Sequence, residues 1–184
     1  MFFSLLRRSN VLIPSLVKFD VQKHLLRSDF VCVEGGLAIH IRHSKTIQHK
    51  DRCLTLFLPM LKNDHPLCPV AAVISAFSCT PSAPGNGPAF TVPSSGGPLP
   101  VTHVEFTSHL KKVFCQANIS SLGYACHSFR RGGGGASWAL ESNIPSEMVR
   151  ILGDWKSDCY KHYLTPSLDC SRRIMSQFSK NLPA

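Results

Sequence analysis

The sequence lacks any Cys-x-x-Cys pair, although eight of its 184 residues are cysteines. They lie at positions 32, 53, 68, 79, 115, 126, 159 and 170, with no spacing typical of paired metal ligands. Zinc sites and small disulfide scaffolds both depend on closely spaced cysteines. We therefore expect no bound metal, and reduced thiols that are in part buried as small hydrophobic side chains.

Long apolar runs are also missing. No stretch approaches the ~18 residues that a helix needs to cross a bilayer, and the segment from Met1 to Leu6 is too short and lacks the basic lead-in of a signal peptide. A hydrophobic content of 43% indicates a globular chain rather than a disordered one. We expect a soluble, intracellular protein with no membrane partner, folded as one domain over residues 1–184.

Acidic residues are few. The chain has 11 Asp and Glu against 20 Lys and Arg, which gives a formal net charge of +9. Such an excess favours a polyanionic partner, because Lys and Arg side chains that neutralise phosphates release counterions. Charge alone does not separate nucleic acid from an acidic membrane surface.

The hydrophobic patterning predicts an α+β fold that is mostly helical. Alternating, β-branched segments at 30–33, 37–42 and 54–58 predict a three-stranded antiparallel sheet. Pro69 and Thr102 are typical of helix starts. A loop rich in Pro, Gly and Ser is predicted over 80–100. The predicted helices cover residues 2–10, 70–77, 104–117, 145–152 and 168–178, and the last is amphipathic enough to dock on another molecule. Between the last two, a further helix is predicted to carry Tyr163.

The most informative segments are the run from His127 to Gly132 (HSFRRG), the run from Leu152 to Ser157 (LGDWKS), and Tyr163 after them. His127 and Arg130 lie three apart on a predicted first helical turn, so both are expected to face the same way. A planar guanidinium suits a phosphate, an imidazole can shuttle a proton, and a phenol can attack phosphorus. This combination indicates phosphodiester chemistry with a tyrosine nucleophile.

At these positions the chain resembles the tyrosine recombinases, the phage-integrase family, and most closely their eukaryotic mobile-element branch, the Crypton-like and DIRS-like recombinases. That branch carries a His-Ser-Phe-Arg-Arg-Gly-Gly run and a Gly-(Asp/Arg)-Trp-x-Ser-Asp-x-Tyr run. Two further segments fit the family, the one from Leu6 to Val11 (LRRSNV) and the one from Arg42 to Gln48 (RHSKTIQ). They nominate Arg7 and Lys45.

The resemblance implies a role for each nominated residue. Tyr163 attacks the scissile phosphate to form a 3′-phosphotyrosyl link, while Arg7 and Arg130 clamp the phosphate oxygens. Lys45 protonates the departing 5′-oxygen, and His127 assists proton transfer from the tyrosine. The family does this without a metal or nucleotide cofactor.

Two features depart from the family pattern. The family has His or Trp nine positions before the nucleophile, where this chain has Asp154 followed by Trp155. Because a carboxylate would repel a phosphate, either Asp154 points away or Trp155 makes the contact. The run from Gly132 to Gly135 carries extra glycine, and each interior glycine costs a helix about 1 kcal/mol relative to alanine. The helix of His127 and Arg130 is therefore expected to be kinked or frayed there.

Three functions remain open. The first is an active recombinase or integrase that binds double-stranded DNA, assembles as a tetramer on it and resides in the nucleus. The second is a catalytically silent DNA-binding remnant, since the chain lacks the N-terminal core-binding domain of its relatives and Met1 has the character of a truncation. The third is a captured domain used for protein contacts. The joint presence of Arg7, Lys45, His127, Arg130 and Tyr163 favours the first for the ancestral activity, with Trp155 as a further nominated contact. The missing N-terminal domain favours the second for this polypeptide acting alone.

Overall fold

A three-stranded antiparallel sheet forms the centre of the protein. The computed structural model describes residues 1, 3–45, 47, 53–62, 65–131, 139, 141–163 and 168–180. The strands are β1 (Phe30–Val33), β2 (Gly36–Ile41) and β3 (Leu54–Pro59), in the order β1-β2-β3. Residue 39 of β2 pairs with residue 30 of β1 and with residue 56 of β3. The predicted sheet is confirmed to within one residue at each strand end.

The bounds of the helices follow the sequence signals closely after residue 60. Pro69 is the first residue of its helix, and Thr102 caps the next one by accepting from the Glu105 amide at 3.3 Å. The helices are α1 (Arg8–Val11), α2 (Pro69–Ser78), α3 (His103–Gln116), α4 (Ser128–Arg131), α5 (Ser146–Leu152) and α6 (Leu168–Lys180). Within the described ranges, none of them has the length and apolar content needed to cross a membrane.

Three local predictions were wrong. The predicted helix over 2–10 is reduced to the single turn of α1, because Leu5 has a left-handed backbone (φ 51°) that a right-handed helix cannot include. The predicted loop over 80–100 contains a short hairpin of β4 (Thr91–Val92) and β5 (Leu99–Pro100). The nucleophile segment is a 3₁₀ helix, Asp158–Tyr163, rather than an α-helix. Phe2 and the run Gly132 to Gly135 lie outside the described residues.

Two separate hydrophobic clusters stabilise the fold. The larger lies between the sheet and α2, where alternate β2 residues Leu37, Ile39 and Ile41 pack together with Val70 and Val73. The second is smaller and contains Leu5, Val149, Trp155 and Tyr160. It joins the N-terminal segment to α5 and to the segment that follows α5, and it contains the nominated Trp155.

Candidate functional site

Arg130 is the most buried of the nominated side chains, with 2% of its surface exposed. It lies in α4 and donates from Nη1 to the carbonyl oxygen of Leu5 and from Nη2 to that of Gly153, the latter at 2.6 Å. These bonds help to offset the cost of burying a charged guanidinium. They also connect the N-terminal segment to the residues that follow α5.

Trp155 covers the other side of this guanidinium. The Arg130 Cζ atom lies 3.9 Å from the centroid of the indole ring, a distance at which cation–π attraction stabilises the pair. The indole is 6% exposed and also packs on Tyr160. Trp155, nominated as a phosphate contact, therefore lies in the second hydrophobic cluster and holds Arg130 in place.

Arg7 and Arg130 line the same small cleft, together with Asn10, Ser44 and Asp154. Arg7 precedes α1, and its amide donates to the Asn10 Oδ1 atom at 3.0 Å. The cleft has a volume of about 10 Å³, close to that of one probe-sized water. The cleft is therefore too small to enclose a phosphodiester, and the Arg7 side chain that lines it is half-buried.

Lys45 is exposed on a tight turn beyond β2. The Ser44 amide donates to the Ile47 carbonyl at 3.1 Å, and the Ile47 amide donates back to the Ser44 carbonyl at 3.2 Å. Ile47 is 0% exposed and anchors the turn in the interior. The Ser44 hydroxyl donates to the Asp154 Oδ2 atom at 3.0 Å. The turn that carries Lys45 is therefore hydrogen-bonded to the segment that holds Arg130.

Arg42 fixes the point at which this turn leaves the sheet. Its Nε and Nη2 atoms donate to the two carboxylate oxygens of Asp29 at 3.0 and 2.9 Å. The same carboxylate accepts from the Leu26 amide at 2.7 Å. A bidentate pair of this kind fixes both direction and distance, so Arg42 has a structural role.

His127 and Tyr163 are placed less completely. α4 begins at Ser128, and His127 directly precedes it as an exposed residue whose carbonyl accepts from the Arg130 amide at 3.0 Å. Tyr163 ends the 3₁₀ helix that packs against α5, and its side chain lies outside the described part of the chain. Tyr160 is 0% exposed and donates to the Glu147 Oε1 atom at 3.1 Å, which makes it a core residue.

Sequence reasoning missed three residues that build the site. Ser44 and Gly153 lie inside two of the family-like segments. No spacing rule predicts a hydrogen bond between the Ser44 hydroxyl and the Asp154 carboxylate, which lie 110 positions apart. Leu5 was missed because its contribution is a backbone carbonyl. The Asp154 carboxylate, for which the sequence left two alternatives open, accepts a hydrogen bond from the Ser44 hydroxyl.

A second, more open cleft lies between Arg8 and α3, with a volume of about 440 Å³. It is lined by Arg8, His103, Val104, Thr107, Ser108 and Lys111. Among the residues that the structure describes, Arg8 and Lys111 have no ion-pair partner. Burial and the nearby charge of Arg8 hold the pKa of His103 below its usual value, although a hydrogen bond to the Leu12 carbonyl opposes this. Arg8 and Lys111 therefore carry the positive charge of the cleft.

Metal binding has no structural support in the described ranges, where no three His, Cys, Asp or Glu side chains converge as a set of ligands. The cysteines described there are free thiols: Cys32, Cys53, Cys68, Cys79, Cys115 and Cys126.

Comparison with known proteins identifies the fold but not a family. The sequence matches no protein-family model and no curated protein. The structure is similar to a crystal structure of XerH, a site-specific recombinase bound to its difH substrate in a pre-cleavage complex. The match has a TM-score of 0.54 and 14% sequence identity, and it covers 88% of this chain and 42% of that one. This chain thus spans about two fifths of the XerH chain, and it has an α+β, tyrosine-recombinase-like fold.

Proposed function

We propose that this chain binds double-stranded DNA and breaks and rejoins one strand through a covalent link to Tyr163. The observation that carries the proposal is the cleft shared by Arg7 and Arg130, with the Lys45 turn bonded to the same segment. The fold supports it, because XerH is a site-specific recombinase that has been crystallised with a DNA substrate. The net charge of +9 supports it independently.

The proposed reaction is a balanced transfer at phosphorus. The Tyr163 phenol oxygen bonds to phosphorus as the bond from phosphorus to the 5′-oxygen breaks, and that oxygen takes a proton from Lys45. The phenol proton passes toward His127, while Arg7 and Arg130 stabilise the charge that grows on the phosphate oxygens. Rejoining is the reverse, and the phosphotyrosyl bond conserves the energy for it.

The cationic side chains of the open cleft would bind the phosphates of the DNA backbone next to this site. Arg8 follows Arg7 directly in the chain, and Lys111 faces the same cleft from α3. Side chains without an acidic partner can bind phosphates without first breaking an ion pair. On the same grounds of chemistry and fold, we extend the proposal to assembly of a tetramer on DNA, an origin in a mobile element and a nuclear location.

One observation favours a second candidate, a DNA-binding protein without catalytic activity. Arg130 is 2% exposed and donates to two backbone carbonyls, so fewer of its donors remain for a phosphate. The open cleft would still bind DNA in such a protein. The two candidates differ in whether a covalent protein–DNA product forms.

Covalent trapping separates the two candidates. The purified chain is incubated with nicked duplex libraries, denatured in SDS and probed for DNA-linked protein. The chain has three tyrosines, Tyr124, Tyr160 and Tyr163, which provide matched controls. We expect a linked band that Tyr163→Phe abolishes and that Tyr124→Phe and Tyr160→Phe retain, because Tyr124 is exposed away from the cleft-lining set and Tyr160 is buried against Glu147.

Each other outcome has a definite meaning. A band that persists in Tyr163→Phe refutes this residue as the nucleophile. No band from the unaltered chain, together with salt-sensitive DNA binding, supports the catalytically silent DNA-binding protein. If the unaltered chain gives no covalent band and also does not bind DNA, both candidates are refuted.

A further inference from the structure

We infer that Asp154 is a positioning residue, which acts through Ser44 to hold the Lys45 turn in place relative to Arg130. This inference rests on the proposed function, because it assigns a role at the same phosphate site. It also answers why the chain carries a carboxylate at a position where negative charge would oppose phosphate binding.

Ser44 forms hydrogen bonds both within the Lys45 turn and to a residue outside it. The Ser44 and Ile47 backbones are joined by two hydrogen bonds, and the Ser44 Oγ atom also accepts from the Ile47 amide at 3.1 Å. The same hydroxyl donates its proton to Asp154 at 3.0 Å. One side chain therefore both closes the turn and connects it to the rest of the site.

Asp154 provides the other half of this connection, because it directly follows Gly153. The Gly153 carbonyl accepts from the Arg130 guanidinium at 2.6 Å, while the neighbouring Asp154 side chain accepts from Ser44. Two consecutive residues thus bind the phosphate-clamping arginine on one side and the lysine turn on the other. The Gly153–Asp154 peptide unit therefore connects the residue that binds Arg130 to the residue that binds the Lys45 turn.

The backbone of Asp154 favours an aspartate over most other residues. Its φ of 51° lies in the left-handed region, which Asp and Asn adopt more readily than bulkier residues. An acceptor for the Ser44 hydroxyl is also needed at this point. An aspartate satisfies both requirements, and hydrogen bonding to Ser44 directs its Oδ2 atom toward the turn.

The inference is tested by comparing the cleavage rates of two substrates whose leaving groups differ in their need for a proton. A general acid that protonates the leaving oxygen accelerates cleavage by about 10²–10⁴-fold, whereas a sulfur in place of the bridging 5′-oxygen leaves readily without a proton. The probe is a nicked duplex pool with random flanks around one defined linkage, made either with oxygen or with bridging sulfur. Cleavage is followed as covalent product per unit time.

We expect Ser44→Ala and Asp154→Ala to cleave the oxygen substrate at least about tenfold more slowly than the unaltered chain, as a displaced general acid would. The sulfur substrate should restore most of the rate in both variants, as it should in Lys45→Ala. Arg7→Ala should remain slow on both substrates, because it stabilises the phosphate and not the leaving group. Asn143→Ala is the matched control, since Asn143 is exposed and has a similar left-handed φ of 59°, and its rates should not change.

Amide hydrogen exchange tests the same connection without any cleavage. Ile47 N–H bonds to Ser44, so its exchange should be faster in Asp154→Ala and in Ser44→Ala than in Asn143→Ala, by more than the change in melting temperature of each variant accounts for. An unaltered Ile47 exchange rate in Asp154→Ala overturns the inference, and so does a slow Asp154→Ala variant that bridging sulfur fails to restore. Absence of cleavage by the unaltered chain refutes the proposed function alone, and the exchange result then decides the role of Asp154.

Discussion

A methyl group at position 153 would lie 1.6 Å from the Cζ3 atom of Trp155. Gly153→Ala should therefore displace the indole from Arg130 or move the carbonyl to which Arg130 donates. Overpacking of this kind lowers the free energy of unfolding by about 1–3 kcal/mol. In a chain of this length, each kcal/mol lowers the melting temperature by about 2–4 °C. Thermal melting measures the loss.

Gly96 supplies the control for that substitution, because a Cβ atom there would meet nothing within 4 Å. Gly96→Ala should leave the melting temperature within about 1 °C of the unaltered value, as ordinary surface substitutions do. Equal melting temperatures for the two variants would show that the contact between Gly153 and Trp155 does not constrain the site.

The 3₁₀ turn Arg27–Asp29 and β2 are held together by the Asp29 carboxylate, which accepts from Arg42 and from the Leu26 amide. Asp29→Ala removes the hydrogen bonds from the Leu26 amide and from the Arg42 Nε and Nη2 atoms, of which Nη2 keeps its bond to the His24 carbonyl at 3.0 Å. Because Arg42 is about one third exposed, we discount the cost of a fully buried pair and expect a loss of about 1–3 kcal/mol. Denaturant unfolding measures this difference.

The control for that prediction is Asp20→Ala, which breaks an exposed pair with Lys23. It should destabilise the protein less than Asp29→Ala does. A larger effect at Asp20 would contradict a structural role for the pair of Asp29 and Arg42, and would place the support of the Lys45 turn elsewhere.

The sheet could be predicted from the sequence because its signals are local. Leu37, Ile39 and Ile41 alternate along β2, and Pro69 and Thr102 mark two helix starts with their own chemistry. The helix predicted over 2–10 failed because its apolar residues carry no sign that Leu5 has a left-handed backbone. Its carbonyl is bound by Arg130, 125 positions later.

In the site, too, local sequence signals could be predicted and contacts between distant segments could not. The motifs nominated Arg7 and Arg130, and the two side chains line one cleft. Sequence reasoning did not find the stacking of Trp155 on Arg130 or the bond from Ser44 to Asp154, because each depends on backbone conformation and on contacts between distant segments. The catalytic roles of these residues, and of Lys45, His127 and Tyr163, stay predictions.

DNA binding by the whole molecule should depend on the cations of the open cleft. Removing one Lys or Arg that binds a phosphate reduces the slope of log K against log salt by about 0.9. The double variant Arg8→Ala with Lys111→Ala should therefore show a slope smaller by about 2 and weaker binding to every duplex sequence. Filter binding or fluorescence anisotropy over a salt series measures the slope.

Lys23→Ala is the matched control, since Lys23 already forms an ion pair with Asp20. Its salt slope should equal that of the unaltered chain. A double variant whose slope is unchanged would mean that the open cleft does not bind the DNA backbone, and that the positive charge acts from another surface.

The hydrogen bonds from Arg130 to Leu5 and Gly153 also set an order of assembly during synthesis on the ribosome. Leu5 is synthesised before the sheet and α2, whereas Arg130 and Gly153 are synthesised after both. Closing so long a loop is slow relative to forming local contacts. The larger hydrophobic cluster can therefore fold before the second one is complete, so the cleft that Arg7 and Arg130 line cannot form until the residues that follow α5 have been translated.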